Sequence, residues 1–369
     1  MNNNIKSVRA LGLLSSTSLD GIGIAEIVTD GVDLYELGKS HIAPYDDSLL
    51  AQLVAVNGLR PDSPEHAVQI RQAELALTDF CAELAKNYMA ESGNKFDIIG
   101  FAGHTVCHAP AEHYTHQIGD GQLLANLTGI SVAARFRQND ILSGGQGAPI
   151  SPVYYGALTA DYAKPVAVID IGGNSDVAWF GCNGEMTAFV TGPGNAVIND
   201  WTAKHGGMHM DYNGRLAITG NVNEQILKSL MHHKYLLQMP PKACDRNTFK
   251  EKLEHLEGLS LADGAATVTA FVAESIAYSM ARYLPETPRE AIVCGGGAQN
   301  PTLMRFLRQK MPEISIKTAR EAGWQTEGID AQAAAFWAVR RLNYLPLTFP
   351  GTTGVGEPTI GGEIFVPQK

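Results

Sequence analysis

The stretch that decides the fold is Leu11-Gly12-Leu13-Leu14-Ser15-Ser16-Thr17-Ser18-Leu19-Asp20-Gly21-Ile22-Gly23-Ile24-Ala25. Apolar runs flank a hydroxyl-rich turn closed by Asp20-Gly21, the pattern of a β-hairpin whose tip presents backbone N–H groups, hydroxyls and one carboxylate. Such a tip suits phosphate, with Asp20 available to a divalent cation. From this stretch alone an ordinary polar turn reads equally well. The pattern returns at Val166-Ala167-Val168-Ile169-Asp170-Ile171-Gly172-Gly173-Asn174-Ser175-Asp176-Val177-Ala178-Trp179-Phe180, and Asn183-Gly184 then turns the chain into a third strand over 186–190. This echo suggests two related α/β domains, 1–165 and 166–369, divided at Lys164-Pro165, with the last helix and tail able to pack back on the first domain.

The chain has 369 residues, 45% of them hydrophobic and 18% charged, and a net charge of −10. That describes a globular protein long enough for two cores. Without a basic run, nucleic acid and anionic membrane surfaces are unexpected partners. No apolar run approaches the roughly 18 residues of a spanning helix, and the polar Met1-Asn2-Asn3-Asn4 start does not read as a signal peptide. Five scattered cysteines without a CxxC read as reduced thiols, so a cytoplasmic location is expected.

Between the two hairpins, 64–92 has the apolar spacing of a long helix, and 96–102 reads as a buried strand ending in a loop at Gly103-His104-Thr105. Ligands collect at strand ends in open α/β sheets, which makes that loop a candidate site. Short helices are expected over 117–127 and 151–162, with a strand over 131–134. The run from Phe136 to Pro149, with Arg137, Asp140, Gly144, Gly145, Gln146 and Gly147, reads as a loop that brings backbone close to a ligand, or else as a plain surface loop. In the second half, Thr191-Gly192-Pro193-Gly194-Asn195 opens a helix over 196–204, an anion site by geometry. A long helix over 261–284, a strand over 291–294, the Gly295-Gly296-Gly297 loop, a strand over 314–317 and a helix over 330–342 follow, with a Gly/Pro-rich tail expected to wrap the surface.

Four glycine- or hydroxyl-rich loops, 15–21, 172–174, 192–195 and 295–297, thus each follow a strand, which favours a nucleotide cleft over coincidence. A P-loop is excluded, because no G-x-x-x-x-G-K-[ST] occurs. Asn300 stands where the third glycine of a dinucleotide fingerprint belongs, and no acid ends the next strand, so NAD is not expected. His104, His108, His113 and His116 are the only metal-like cluster; Pro110 breaks any helix that would align them, and a loop with one ligand-contacting His is favoured over zinc. His232-His233 reads as a surface face of a helix.

These motifs together resemble the anhydro-N-acetylmuramic acid kinase family, of the actin, sugar-kinase and Hsp70 superfamily. Gly12 and Thr17-Ser18-Leu19-Asp20-Gly21 resemble its first phosphate loop. Gln117-Ile118-Gly119-Asp120, Phe136-Arg137, Asp140 and Gly144-Gly145-Gln146-Gly147-Ala148-Pro149 resemble its substrate-side motifs. Ile171-Gly172-Gly173, Thr191-Gly192-Pro193-Gly194-Asn195, Pro241-Lys242 and Cys294-Gly295-Gly296-Gly297 with Asn300-Pro301 resemble its second half. The resemblance implies an α/β fold of two related actin-like (ribonuclease H-like) domains, with mixed sheets flanked by helices around a central ATP cleft. It implies an ATP- and Mg²⁺-dependent kinase that opens the 1,6-anhydro ring of anhydro-N-acetylmuramic acid with water and phosphorylates O6, giving N-acetylmuramic acid 6-phosphate for cell-wall recycling. A homodimer is open. Asp140 takes the place of the general base. Ser16, Thr17, Ser18, Leu19, Asp20, Gly21, Ile22, Gly23, Gly172, Gly173, Asn174, Gly192, Gly194, Asn195, Gly295, Gly296, Gly297 and Asn300 fall at ATP or phosphate positions. His104, Thr105, Arg137, Gly145, Gln146 and Gln332 fall at sugar positions, and Asp20 and Asp170 at Mg²⁺ positions.

The chain departs from the family pattern within the same motifs. Ser16 replaces a glycine, Gly23 and Val190 replace acids, Ala102 and His104 replace a His and a Gln, Asn174-Ser175-Asp176 replaces an apolar triplet, and Gln332 replaces a Glu. Asp170 stands where the family usually has Asn. A kinase of a different sugar on the same scaffold, or a catalytically weakened nucleotide-binding signalling protein, are the alternative readings.

Overall fold

The computed structural model describes residues 6–15, 19 and 21–368. The chain forms two compact units, residues 1–160 with 327–369, and residues 161–326. Unit 1 contains β1 (Val8–Ser15), β2 (Ile22–Thr29), β3 (Leu34–Ala43), α1 (Asp47–Val56), α2 (Pro64–Ser92), β4 (Ile98–Ala109), β5 (Tyr114–Ile118), α3 (Gly121–Thr128), β6 (Val132–Ala134), α4 (Gln138–Leu142) and α5 (Pro152–Leu158). Unit 2 contains β7 (Val166–Ile171), β8 (Asn174–Phe180), β9 (Met186–Pro193), α6 (Asn195–Gly206), α7 (Glu224–Met231), α8 (Leu261–Tyr283), β10 (Glu290–Cys294), α9 (Pro301–Lys310) and β11 (Ser315–Thr318). The chain then returns to unit 1 for α10 (Ile329–Leu342), α11 (Pro350–Thr353) and β12 (Glu363–Phe365).

The two sheets repeat one topology. In unit 1 the order is β12-β6-β4-β1-β2-β3, with β5 on the outer part of β4; in unit 2 it is β11-β10-β7-β8-β9. Each is an antiparallel meander (β1-β2-β3, β7-β8-β9) extended beyond its first strand by parallel strands (β4 and β6, β10 and β11). This is an α/β fold of mixed sheets flanked by helices.

Alternation along the strands gives unit 1 two unlike faces. Leu11, Leu13, Ile22, Ile24, Ile99 and Phe101 turn to one side and bury against α1, α2 and α3. Gly12 and Gly100 turn to the other, where α10 lies. A Cβ on Gly12 would stand 1.7 Å from the Ala331 carbonyl oxygen, and one on Gly100 2.0 Å from that of Ala334. Helix backbone therefore rests directly on strand backbone, and α10 meets the sheet with Ala331, Ala334 and Ala335 because nothing larger fits. At its far end Arg340, half-buried, donates to the carbonyls of Gly31 and Pro346 at 2.6 Å each and fastens α10 to the β2–β3 turn. Burial alone pushes its pKa down to about 10. In unit 2, Val168 and Val177 lie in buried strands, and α6, α8 and α9 pack around a second core that includes Phe189, Trp201, Phe271 and Leu303.

Several expectations change. Gly103-His104-Thr105 is not a loop: β4 runs on to Ala109, because Gly103 (φ 69°) makes an irregularity where the β1 ladder slips and the strand changes partner to β5. The 136–149 run holds a one-turn helix, α4. Gly192 and Pro193 are the end of β9 and not a loop. The tail does more than wrap the surface, since β12 pairs antiparallel with β6. The helix before His232-His233 stops at Met231, and His233 is buried, its ring on Phe249. The chain belongs to unit 1 again from 327 onward, and the units divide at 160/161 and 326/327.

Gly12→Ala should destabilise the protein by about 3 kcal/mol or more, since overpacking here meets backbone that has no rotamer to change. Gly356, where an added Cβ meets nothing within 4 Å, serves as the control: Gly356→Ala should stay within about 0.5 kcal/mol of wild type. Thermal melts of the two variants decide it.

Candidate active site

In unit 1 the parallel strands β1, β4 and β6 end along one edge, with Leu13 beside Phe101 and Phe101 beside Ala134. The chain leaving that edge carries Ser15, His104 and Asp140. Asp140 is 1% exposed. Its Oδ1 accepts the Gly147 N–H at 2.6 Å and its Oδ2 accepts the Thr353 hydroxyl at 2.6 Å. The Gln146 N–H donates to the Thr353 carbonyl at 2.8 Å, so tail and loop are tied twice. Gly145 must be glycine: a Cβ there would stand 2.2 Å from Asp140 Oδ1. Two buried donors fix the carboxylate's plane, while each oxygen keeps a second lone-pair direction.

Beside this loop stands His108, buried, with Nδ1 3.0 Å from Thr115 Oγ1. Burial, and next the Arg137 charge, push its pKa down to about 3 against a weak opposing pull from the Gln146 backbone. It is therefore a neutral imidazole. Arg137 precedes α4 and is half-buried. Thr105 sits apart, on β4, where Gln117 Nε2 reaches its hydroxyl at 3.4 Å. Gln332, in the first turn of α10 and 1% exposed, accepts the Tyr154 hydroxyl at 2.7 Å through Oε1. His104, 2% exposed, places Nδ1 2.6 Å from Ser15 Oγ.

Of the opening hairpin, Ser16, Thr17, Ser18 and Asp20 lie outside the described residues. Leu19 (φ 61°) and Gly21 (φ 150°) flank Asp20, and a Cβ on Gly21 would stand 2.3 Å from the Ala43 carbonyl oxygen. Ile22 gives its side chain to the core, and a Cβ added to Gly23, on β2, would stand 3.4 Å from Ala331 Cβ, an ordinary contact. The resemblance of Gly12 to a phosphate-loop residue likewise meets a packing role.

In unit 2 the loops after β7, β9 and β10 converge. Asp170, one residue before the end of β7, lies opposite Cys294 of β10. A Cβ on Gly295 would stand 2.4 Å from Asp170 Oδ1, and one on Gly297 2.4 Å from Ile171 Cγ2. Gly194 is pressed against the carbonyls of Asn174 and Gly172 at 2.4 and 2.5 Å in the same sense, and Gly192 against Ser275. Gly172 and Gly296 are different. An added Cβ would meet only Asn174 O at 3.8 Å and Asn195 Nδ2 at 3.2 Å respectively, so their surroundings are looser. The start of α6 is not the anion site expected. The N–H groups of Gly194, Asn195 and Ala196 already donate to the carbonyls of Gly173, Gly172 and Gly173 at 3.1, 2.8 and 3.1 Å. Asn195 Nδ2 donates to Ile171 O at 3.1 Å, and Asn174 Nδ2 to Cys244 O at 2.9 Å. Asn300 caps α9, accepting the N–H groups of Thr302 and Leu303 at 3.1 Å each, so its carboxamide is used within the fold.

Sequence reasoning missed Thr353, Tyr154 and Tyr45. Each lies far along the chain from its partner, and a hydroxyl in a turn carries no signal of which carboxylate it will meet. Among the described residues no group of three or more His, Cys, Asp and Glu is placed to hold a metal ion, and no helix is long and apolar enough to cross a membrane. The five cysteines form no disulfide.

An α/β fold with glycine loops gathered at strand ends and a fixed, buried carboxylate is the frame of a small-molecule kinase. The family model for anhydro-N-acetylmuramic acid kinase matches residues 8–367. A relative named anhydro-N-acetylmuramic acid kinase from Paramagnetospirillum magneticum is 40% identical over 97% of this chain and 99% of its own length. Another so named, from Rhodopseudomonas palustris, is 42% identical over 97% and 100%. A ROK family glucokinase from Streptomyces griseus, solved with glucose and AMPPNP, is similar at a TM-score of 0.41 and 13% identity, over 89% of this chain and 99% of that one. On the sequence matches, this chain belongs to the anhydro-N-acetylmuramic acid kinase family.

The depressed pKa of His108 has a sign that a melt can read. Folding holds the imidazole neutral, so its contribution is complete above the ordinary value of 6.5 and is lost as pH falls from 6.5 toward 3. His108→Gln should therefore flatten the loss of Tm between pH 6.5 and 4 relative to wild type.

Proposed function

We propose that this protein transfers the γ-phosphoryl group of ATP to O6 of anhydro-N-acetylmuramic acid while water opens the 1,6-anhydro bridge. Family membership makes it a kinase acting on a sugar hydroxyl. The observation that carries the mechanism is Asp140, buried and clamped by Gly147 and Thr353. A water oxygen bonds to C1 and the C1–O6 bond breaks, while Asp140 takes the water proton. The released O6 takes the phosphoryl group in place of a proton, and ADP leaves. Seclusion of Asp140 suits a reaction in which one held water attacks and bulk solvent is kept from ATP. Arg137, Gly145, Gln146, His104, Thr105 and Gln332 are assigned to the sugar. Gln332 can orient a water but cannot take its proton, which leaves Asp140 as sole base.

In unit 2 the phosphates are assigned to the loops that carry Gly172, Gly173 and Asn174, then Gly192, Gly194 and Asn195, and then Gly295, Gly296, Gly297 and Asn300. Asp170, a hard oxygen donor near the end of β7 among Gly172, Gly173 and Gly295, fits Mg²⁺, which needs only one or two carboxylates beside the phosphates. It would hold the ion, whose chemistry is to neutralise phosphate charge. A cytoplasmic setting accords with five cysteines in no disulfide.

Incubation with ATP, Mg²⁺ and the anhydro sugar in ¹⁸O water, followed by mass spectrometry, should give ADP and a sugar 6-phosphate labelled at C1. Asp140→Asn should lower kcat by about 10²–10⁴-fold with KM for ATP unchanged. Retained activity would remove Asp140 from the mechanism. Turnover only of another sugar would establish the different-sugar kinase, and thermal stabilisation by ATP without turnover the signalling protein. Separately, Thr353→Val should lower kcat about tenfold or more through loss of a charged hydrogen bond, and Thr353→Ser should restore most of it.

A further inference from the structure

The turn after β7 leads into Asn174, the first residue of β8. Strand alternation sends Ser175 and Val177, both fully buried, to one side of the sheet. It leaves Asn174, half-buried, on the other, the side of Asp176 and its cross-strand partner Asp170. The Asn174 carboxamide is held at one end. Its Nδ2 donates to the Cys244 carbonyl at 2.9 Å. That carbonyl belongs to a fixed segment, because the Lys242 carbonyl accepts the Val190 N–H of β9 at 3.1 Å. The Lys242 ammonium, buried, lies 3.3 and 3.4 Å from the carbonyls of Tyr235 and Leu236 and over the rings of Tyr235 and Tyr283. A carbonyl can only accept, so the amide nitrogen must face Cys244; turned over, the group would set two acceptor oxygens against each other. Asn174 Oδ1 therefore faces away from Cys244. It is shut off from solvent, and among the described residues no donor reaches it. A buried amide oxygen left so bears its full desolvation cost, and in native proteins such atoms are paired, with the protein or with what it binds.

We infer that Asn174 Oδ1 accepts a hydrogen bond from an O–H group of the bound nucleotide complex, a ribose hydroxyl or a water held by its metal ion, and does not touch the phosphate oxygens. The inference rests on the reading of this turn as part of the nucleotide site. Ionised phosphate oxygens are acceptors and would meet Oδ1 oxygen to oxygen, while the donor end of the carboxamide is turned to Cys244. The O–H groups nearest to a nucleotide's phosphates are those of the ribose and of the waters that Mg²⁺ keeps. The amino group of adenine lies beyond the ribose. Asn174 is also one of the polar residues by which this chain departs from the family pattern, so the contact belongs to this chain. An acceptor placed here disfavours a nucleotide form that lacks the matching O–H, since its own oxygen is then left unpaired.

The test is calorimetric titration of the full chain and of Asn174→Leu with ADP, 2′-deoxy-ADP and 3′-deoxy-ADP, each with Mg²⁺ and with a chelator. Asn174→Leu should bind Mg·ADP about three- to tenfold more weakly than wild type, the loss of one hydrogen bond. If a ribose hydroxyl is the donor, the penalty vanishes for the deoxynucleotide that lacks it. If a metal-held water is the donor, the penalty persists for both deoxynucleotides and vanishes when Mg²⁺ is chelated. An equal penalty for every nucleotide, with and without Mg²⁺, means that Asn174 only ties Cys244 in place and overturns the inference, as does no penalty at all. Wild type supplies a second readout that needs no variant to fold. The Asn174 ¹³Cγ signal should move downfield on binding Mg·ADP and stay in place with the form that lacks the donor. A ¹³Cγ signal unmoved by Mg·ADP in a chain that binds it removes the acceptor and leaves the nucleotide site standing. Wild type that binds no nucleotide in any form fells the nucleotide reading, and the acceptor with it.

Discussion

Everything in unit 1 depends on how closely α10 approaches its sheet. At Gly12 and Gly100 there is no room for a single methyl group between strand and helix backbone. The helix therefore has one depth, and almost one register, at which it can sit. Dispersion contacts between two backbones extend along the whole seam, and the helix offers Ala331, Ala334 and Ala335 to it, with larger Phe336 and Trp337 buried elsewhere on its surface. A residue carried on such a helix is placed with little freedom. Gln332 inherits that placement, and its bond to Tyr154 reports it.

The same seam gives Gly12 of the opening motif a packing role. Glycine answers two different demands, close approach of a ligand and close approach of another part of the chain. Gly12, Gly192, Gly194, Gly295 and Gly297 answer the second, each meeting another part of the chain closer than 3.0 Å from an added Cβ, whereas Gly172 meets only Asn174 O at 3.8 Å. A sequence records that a side chain is absent and not what occupies its place.

Much of the fold was legible because it rests on local pattern. The Asn183-Gly184 turn, the 64–92 helix with Ser63, Pro64 and Gly93 at its ends, and the repeated strand–turn–strand openings all carry their instructions within a few residues. The extension of β4 past Gly103 was not legible, because it depends on a change of pairing partner from β1 to β5. Neither was α4, whose five residues show no periodicity. In the candidate site, Asp140 was found through resemblance and its loop through composition. Its partner Thr353, 213 residues further along, and the contacts of Ser15 with Tyr45 and His104 depend on tertiary proximity that no local pattern encodes.

Unit 2 is one uninterrupted stretch of chain, whereas unit 1 is begun before it and completed after it. During synthesis the strands β1 to β6 emerge long before the helix that covers their second face and before the threonine that clamps Asp140. Until the last forty or so residues are made, Gly12 and Gly100 line an uncovered groove and the carboxylate lacks one of its two donors. The order of the chain thus delays completion of the clamp on Asp140 until Thr353 has been translated.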